Sequence, residues 1–144
     1  MEFIELVNWR DALTPEIQER AKNGSVCNIT KQYAVREDGK EVAYVALDSY
    51  PVYQCTDLTL YEMFVPRKLR HCGVGGRILA ETEKLARGTG YTRILLNAHP
   101  LENYPKERLQ TWYQKHGYKS LPGGRVDDMV KELAAIGVHP AKSA

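Results

Sequence analysis

The stretch from residue 58 to residue 87 constrains this chain most. An apolar, β-prone run, Leu58-Thr59-Leu60-Tyr61-Glu62-Met63-Phe64-Val65, is stopped by Pro66. A short basic, glycine-rich segment follows, Arg67-Lys68-Leu69-Arg70-His71-Cys72-Gly73-Val74-Gly75-Gly76-Arg77. The apolar period then changes. Ile78, Leu79, Thr82, Leu85 and Ala86 fall on one helical face, and Glu81, Glu83, Lys84 and Arg87 fall mostly elsewhere. Gly88 and Gly90 are expected to end that helix. The local order is strand, tight basic loop, helix.

The rest of the chain supplies further strands and helices. Residues 2–8 read as a strand. Thr14-Pro15-Glu16 reads as a helix start, with a hydroxyl cap, proline at the first helical position and acid in the first turn. That helix fades near Asn23-Gly24. Residues 29–36 and 41–48 are β-like runs joined by Glu37-Asp38-Gly39-Lys40, and Asp-Gly between such runs predicts a hairpin. Tyr50-Pro51 breaks the second run. Arg93-Ile94-Leu95-Leu96-Asn97 is a short buried strand ended by His99-Pro100. Pro105 opens a second amphipathic helix with Leu109, Trp112 and Tyr113 on one face, closed by Lys115-His116-Gly117. Residues 118–121 and 128–133 complete the strands across the turn Pro122-Gly123-Gly124, and residues 134–144 read as a loose tail. A hairpin-rich first half and a strand–helix second half predict an α/β fold with a mixed sheet and helices on its faces. With no repeat or linker, residues 1–133 are expected to be a single domain.

Bulk properties narrow the function classes. A net charge of +2 over 144 residues is too small to argue for nucleic acid or a membrane surface. No stretch of 18 apolar residues exists, and the acidic N-terminus does not read as a signal peptide. Three cysteines, Cys27, Cys55 and Cys72, show no metal-ligand spacing. They suit reduced thiols, and a cytoplasmic location without a metal is the expectation.

The glycine loop has the chemistry of an anion site. A helix N-terminus leaves backbone N–H groups unpaired and carries partial positive charge. Glycines let a phosphate approach those groups closely. Arg67, Lys68, Arg70 and Arg77 add full charges, and no acid lies between Val65 and Ala80. A pyrophosphate suits such a loop. The plainer alternative is a glycine turn with a solvated basic edge. Two phosphate motifs fail. Ile78 stands where the dinucleotide fingerprint needs its third glycine, and no Gly-Lys-Ser/Thr follows as in a P-loop.

Arg70, Gly73 and Gly75 do fill the coenzyme A signature (Gln/Arg)-x-x-Gly-x-(Gly/Ala), and the chain here resembles the GNAT superfamily of N-acetyltransferases. The strand before Pro66 resembles the family's fourth strand. Residues 109–118 resemble its late helix, aromatic-Tyr-x-x-x-Gly-aromatic, and Met129-Val130-Lys131 resembles its last strand. The resemblance covers residues 33–133. It implies a twisted, mostly antiparallel mixed sheet of six to seven strands flanked by three to four helices. It also implies an acetyl-CoA-dependent N-acetyltransferase, in which a primary amine attacks acetyl-CoA directly in a ternary complex. Arg70, His71, Cys72, Gly73, Val74, Gly75, Gly76 and Arg77 would then cradle the pyrophosphate. Met63, Phe64 and Val65 would offer the backbone N–H that stabilises the thioester oxygen. Many relatives carry an asparagine for the coenzyme's arm seven residues before the helix tyrosine; Lys106 occupies that place, and Asn97 is the candidate substitute.

The resemblance makes Tyr113 the general acid for the leaving thiolate, against a plain reading as a core aromatic. A phenol pKa of about 10 is close enough to that of a thiol to share its proton. Glu62 is the candidate general base, against a plain reading as a solvent-facing glutamate. Strand alternation puts Glu62 and Phe64 on one face and Tyr61, Met63 and Val65 on the other. Asp57, His99 and Glu102 are weaker candidates. Cys72 and His71 read as loop residues, and Tyr44, Tyr50, Tyr53 and Tyr61 as packing residues or pocket lining. The expected partner is a small-molecule, peptide or protein amine, with no nucleic acid and no membrane; the resemblance also allows a homodimer. A coenzyme-binding module without turnover is the competing function, and a basic RNA-binding domain is a third.

Overall fold

The structure is a computed structural model and describes residues 1–24, 26–50, 53–100 and 103–134. Its strands are β1 (Glu2–Glu5), β2 (Thr30–Glu37), β3 (Lys40–Ser49), β4 (Asp57–Phe64), β5 (Arg93–Asn97), β6 (Lys119–Ser120) and β7 (Asp128–Glu132). The helices are α1 (Pro15–Asn23), α2 (Val74–Thr89) and α3 (Lys106–Lys115). The strands form a seven-stranded mixed sheet in the order β1-β2-β3-β4-β5-β7-β6. This is the α/β mixed-sheet class expected from the sequence. The chain divides into two compact units, Met1–Tyr50 with Thr59–Thr82, and Pro51–Leu58 with Glu83–Ala144.

In the first unit, β1, β2 and β3 are antiparallel neighbours. The β2–β3 hairpin turns through Asp38 (φ 54°) and Gly39 (φ 77°), and Glu37 pairs with Lys40. Positive φ at both central residues is the turn whose twist matches the flanking strands, which is why Asp-Gly predicted it. The register slips between Val35 and Arg36, a local bulge. α1 packs Ile17 and Ala21 against Leu6, Ala12, Ala34, Tyr44 and Ala46, with Trp9 and Phe64 at the margin.

Two starts differ from expectation. β1 stops at Glu5 rather than near residue 8, because Asn8 caps a short 3-10 turn, Trp9–Asp11. The Asn8 side chain accepts from the Arg10 N–H, and the Asp11 carboxylate accepts from the Asn8 N–H, both at 2.9 Å. The Thr14 hydroxyl makes no capping bond to α1. Glu41 binds the chain there instead, accepting from the backbone N–H groups of Leu13 and Thr14 at 2.7 Å each.

α2 keeps the predicted period but rotates its buried stripe. It runs through Gly88 to Thr89, and the N–H groups of Gly90 and Tyr91 return to carbonyls of its last turn. Ile78, Leu79, Thr82 and Ala86 are buried, whereas Leu85 is exposed and Glu83 is buried. Glu83 tolerates burial because both carboxylate oxygens are bonded, Oε2 by the Tyr118 hydroxyl and Oε1 by Lys131 Nζ, each at 2.9 Å.

In the second unit β7 pairs antiparallel with both β5 and β6. Asp57 accepts two bonds from Arg93, at 2.9 and 2.8 Å, so it is a structural anchor of β5 rather than a candidate base. Among the described residues no helix is long and apolar enough to cross a membrane.

Candidate active site

The end of β4 and the start of α2 carry the predicted cofactor residues other than Asn97, all within the first unit. Along β4 the alternation is clear: Leu58, Leu60 and Glu62 are buried and Tyr61 is exposed. Glu62 is therefore not a solvent-facing glutamate; it is 7% exposed. Its Oε2 accepts from Arg20 Nε at 2.7 Å and lies 2.6 Å from Arg20 Nη2. Arg20 projects from α1 between Ile17 and Ala21, the two buried residues of that helix, and its guanidinium carbon lies 5.9 Å from the centre of the Phe64 ring. Beside the pair, Tyr44 is buried, and its hydroxyl accepts from Gln32 Nε2 at 2.8 Å. Desolvation pushes the Tyr44 phenol up to about 12; the Glu62 charge adds to that rise.

After Phe64 the chain leaves the sheet. Pro66 starts a 3-10 turn, Arg67–Leu69, closed by the Leu69 N–H to the Pro66 carbonyl at 2.9 Å. Arg70 turns back across the strand end. Its Nε donates to the Val65 carbonyl at 2.8 Å, and its guanidinium lies over Phe64 at 5.4 Å. His71 (φ 64°) and Gly73 (φ 79°) are both left-handed and curl the loop into the helix. Arg77 makes the first helical bond back to the Gly73 carbonyl, at 3.3 Å. The N–H groups of Val74, Gly75 and Gly76 precede that bond and face out of the helix end. An L-residue at position 73 would be strained, and its Cβ would stand 3.4 Å from Arg77 Nη1. This bare-backbone helix end, with two left-handed residues before it and arginines beside it, suits a phosphate-bearing ligand. Cys72 is an exposed free thiol of the loop.

Arg77 does not stand as an isolated charge. It forms a bidentate pair with Glu37 at the end of β2, Nε to Oε2 at 3.0 Å and Nη2 to Oε1 at 2.8 Å. The pair holds the Glu37 carboxyl below its usual range, mainly through the hydrogen bond. Arg20 and Glu37 are both absent from the sequence-derived site. Each lies about 40 residues from its partner, 42 and 40 positions respectively, and no local pattern links them.

Tyr113 and Asn97 belong to the second unit. Tyr113 is the buried residue of α3, stacked edge-on with Trp112 and Tyr118 at 5.0 and 5.7 Å between ring centres. Burial alone pushes its phenol up to about 12. It is therefore protonated at neutral pH, as a proton donor must be. Burial also pushes the Tyr118 phenol upward, reinforced by the Glu83 carboxylate. The amide nitrogen of Asn97 is engaged locally, by the Val126 carbonyl at 3.2 Å and Asp128 Oδ1 at 2.9 Å. Lys106 Nζ lies 3.5 Å from Asp127, which also accepts from Gln110 at 2.7 Å. His99 is exposed, 3.7 Å from Asp127. Glu102 lies outside the described residues.

The family described as "Acetyltransferase (GNAT) domain" matches residues 29–120. No curated protein sequence matches the chain. Among solved structures, AtaTR bound with AcCoA superposes with a TM-score of 0.63 at 15% identity, covering 91% of this chain and 92% of that one. PaiA N-acetyltransferase from Thermoplasma acidophilum, in complex with coenzyme A, gives 0.58 at 16% identity, covering 87% and 83%. The AtaT–AtaR complex bound to DNA gives 0.58 at 18% identity, covering 83% and 75%. That last structure means the expectation of no nucleic-acid partner draws no support from the comparisons. At these identities the structures speak to the fold, while the family match spans most of the chain and includes both β4 and the glycine loop. The chain belongs to the GNAT family of acetyltransferases.

Proposed function

We propose that the chain transfers the acetyl group of acetyl-CoA to a primary amine by direct attack, with both substrates bound together. The observation that carries this reading is the loop between β4 and α2. Its left-handed His71 and Gly73 lead into the first turn of α2, where Gly75 and Gly76 carry no side chain of their own. Such an end binds a pyrophosphate. Arg70, pinned to the Val65 carbonyl, adds charge beside it. Bound acetyl-CoA supplies the activated thioester.

The remaining chemistry falls to the chain's own groups. A backbone N–H in the stretch Met63, Phe64 and Val65, where β4 leaves the sheet, is the donor assigned to the thioester oxygen. Glu62 is the assigned base; its buried carboxylate takes the amine's proton as the new N–C bond forms. Tyr113 is the assigned acid for the departing thiolate, and its phenol is protonated throughout the neutral range. Arg77 adds charge at the helix end and shares it with Glu37. Asn97 is bound to Val126 and Asp128 through its nitrogen, so any contact with the coenzyme's arm falls to its oxygen.

The test is thiol release from acetyl-CoA with a panel of amines: spermidine, tyramine, kanamycin, a peptide with a free N-terminus and a lysine-containing peptide. Turnover with at least one amine, together with formation of its acetyl-amide by mass, supports the reading. Tight binding of acetyl-CoA with no turnover on any of them supports a coenzyme-binding module instead.

A further inference from the structure

The buried Glu62 has a partner that the reaction as proposed leaves without a role. Arg20 reaches it from the last two turns of α1, and its geometry is unusual in one respect. Nε and Nη2 both address the same oxygen, Oε2, at 2.7 and 2.6 Å. A fork-to-fork pair would occupy both carboxylate oxygens; this one leaves Oε1 outside the pair. The contacts of Arg20 therefore account for Oε2 alone.

Arg20 is itself fixed. Its helix end is tied to the sheet by Gln32, whose Nε2 donates to the Ala21 carbonyl at 2.9 Å and to the Tyr44 hydroxyl at 2.8 Å. Phe64 lies beneath the guanidinium. Ile17 and Ala21, three positions before and one after Arg20, are anchored in the core, which sets the direction of the residue between them. A buried carboxylate needs such a countercharge to stay ionised, and ionisation is what a proton acceptor requires.

We propose that Arg20 is a positioning residue for acetyl transfer: it anchors Oε2 of Glu62 so that Oε1 is the oxygen that receives the amine's proton. This rests on the reading of Glu62 as the base. Arg20 touches neither substrate in this scheme. Because the pair rests on one carboxylate oxygen, with Nε donating and Nη2 close by, a single ammonium at the same place can replace it, although arginine and lysine are not generally interchangeable.

The experiment uses the full chain and the panel amine with the highest thiol release. Arg20→Met, Arg20→Lys, Glu62→Gln and the double variant Arg20→Met/Glu62→Gln are compared for kcat, for KM of acetyl-CoA and for melting temperature. Expected is a loss of kcat of about 10- to 100-fold in Arg20→Met, with the KM of acetyl-CoA within about two-fold of wild type. Arg20→Lys recovers most of that loss, and Arg20→Met costs no further kcat once Glu62 is glutamine. If Arg20→Met does not fold, Arg20→Gln, which keeps a donor and most of the length, replaces it. A wild-type kcat in the folded neutral variant, or full additivity with Glu62→Gln, overturns the positioning role while leaving Glu62 as base. Unchanged kcat in Glu62→Gln alone overturns the base reading, and the proposal falls with it.

Discussion

At the scale of single residues, the site is defined by what each charge is paired with. Glu62 is a plain glutamate in a β-prone run; burial beside Arg20 turns it into a held carboxylate. Arg77 looked like one of four loop cations, and Glu37 makes it half of an ion pair. The glycines of the loop are different, because their contribution is the absence of a side chain. Gly75→Glu puts bulk and a negative charge at the helix end. Its affinity for acetyl-CoA is expected to fall by at least about tenfold by calorimetry, with the circular dichroism spectrum unchanged. An unaltered dissociation constant would remove the loop from the binding site. Tyr113→Phe keeps the ring stack with Trp112 and Tyr118 and removes only the hydroxyl. Its kcat is expected to drop about 100-fold or more, with acetyl-CoA affinity held; wild-type turnover would make Tyr113 a packing residue only.

At the scale of elements, local chemistry decided most of the boundaries. Asp38-Gly39 specified the β2–β3 turn, and both residues have positive φ as that turn demands. Gly39→Val forces a β-branched side chain into the left-handed region. About 1–3 kcal/mol of stability should be lost in urea unfolding, whereas Gly39→Asn should cost much less. Arg93–Asn97 and the start of α3 after Pro105 were legible for similar reasons, a short apolar run and a proline. The failures have a common cause. Asn8 ends β1 early because it caps a short turn with Asp11, and Thr14 stands at the N-cap of α1 without a hydroxyl bond while Glu41, 27 positions along the chain, accepts from its backbone N–H. Likewise the buried stripe of α2 includes Glu83 and excludes Leu85. A 3.6-residue period gives the width of a stripe but cannot say that Tyr118 and Lys131 will satisfy a buried carboxylate.

At the scale of the molecule, stability and its pH dependence follow from the cores. Ile17 is fully buried where α1 meets β2 and β3, and Ile17→Ala should cost about 2–5 kcal/mol in chemical unfolding. A loss under about 1 kcal/mol would mean that α1 does not pack as described. Alkali should weaken the fold through its buried phenols. Tyr44 and Tyr113 titrate at about 12 when folded and near the ordinary value of 10 when unfolded. The unfolded chain therefore gives up these protons first. The contribution of these two phenols is whole below pH 10 and is lost as pH rises through 12. For Tyr113 the loss is about 2 kcal/mol, and urea unfolding at pH 9 and 11.5 should show a smaller decline in Tyr113→Phe than in wild type. The sequence by itself determined the strand–loop–helix order, the hairpin and the mixed α/β class, since each is written in residues close together in the chain. The tertiary structure alone decided which charges meet. Arg20 finds Glu62 and Arg77 finds Glu37 across about 40 residues, because helix and strand directions, not adjacency, carry those side chains together.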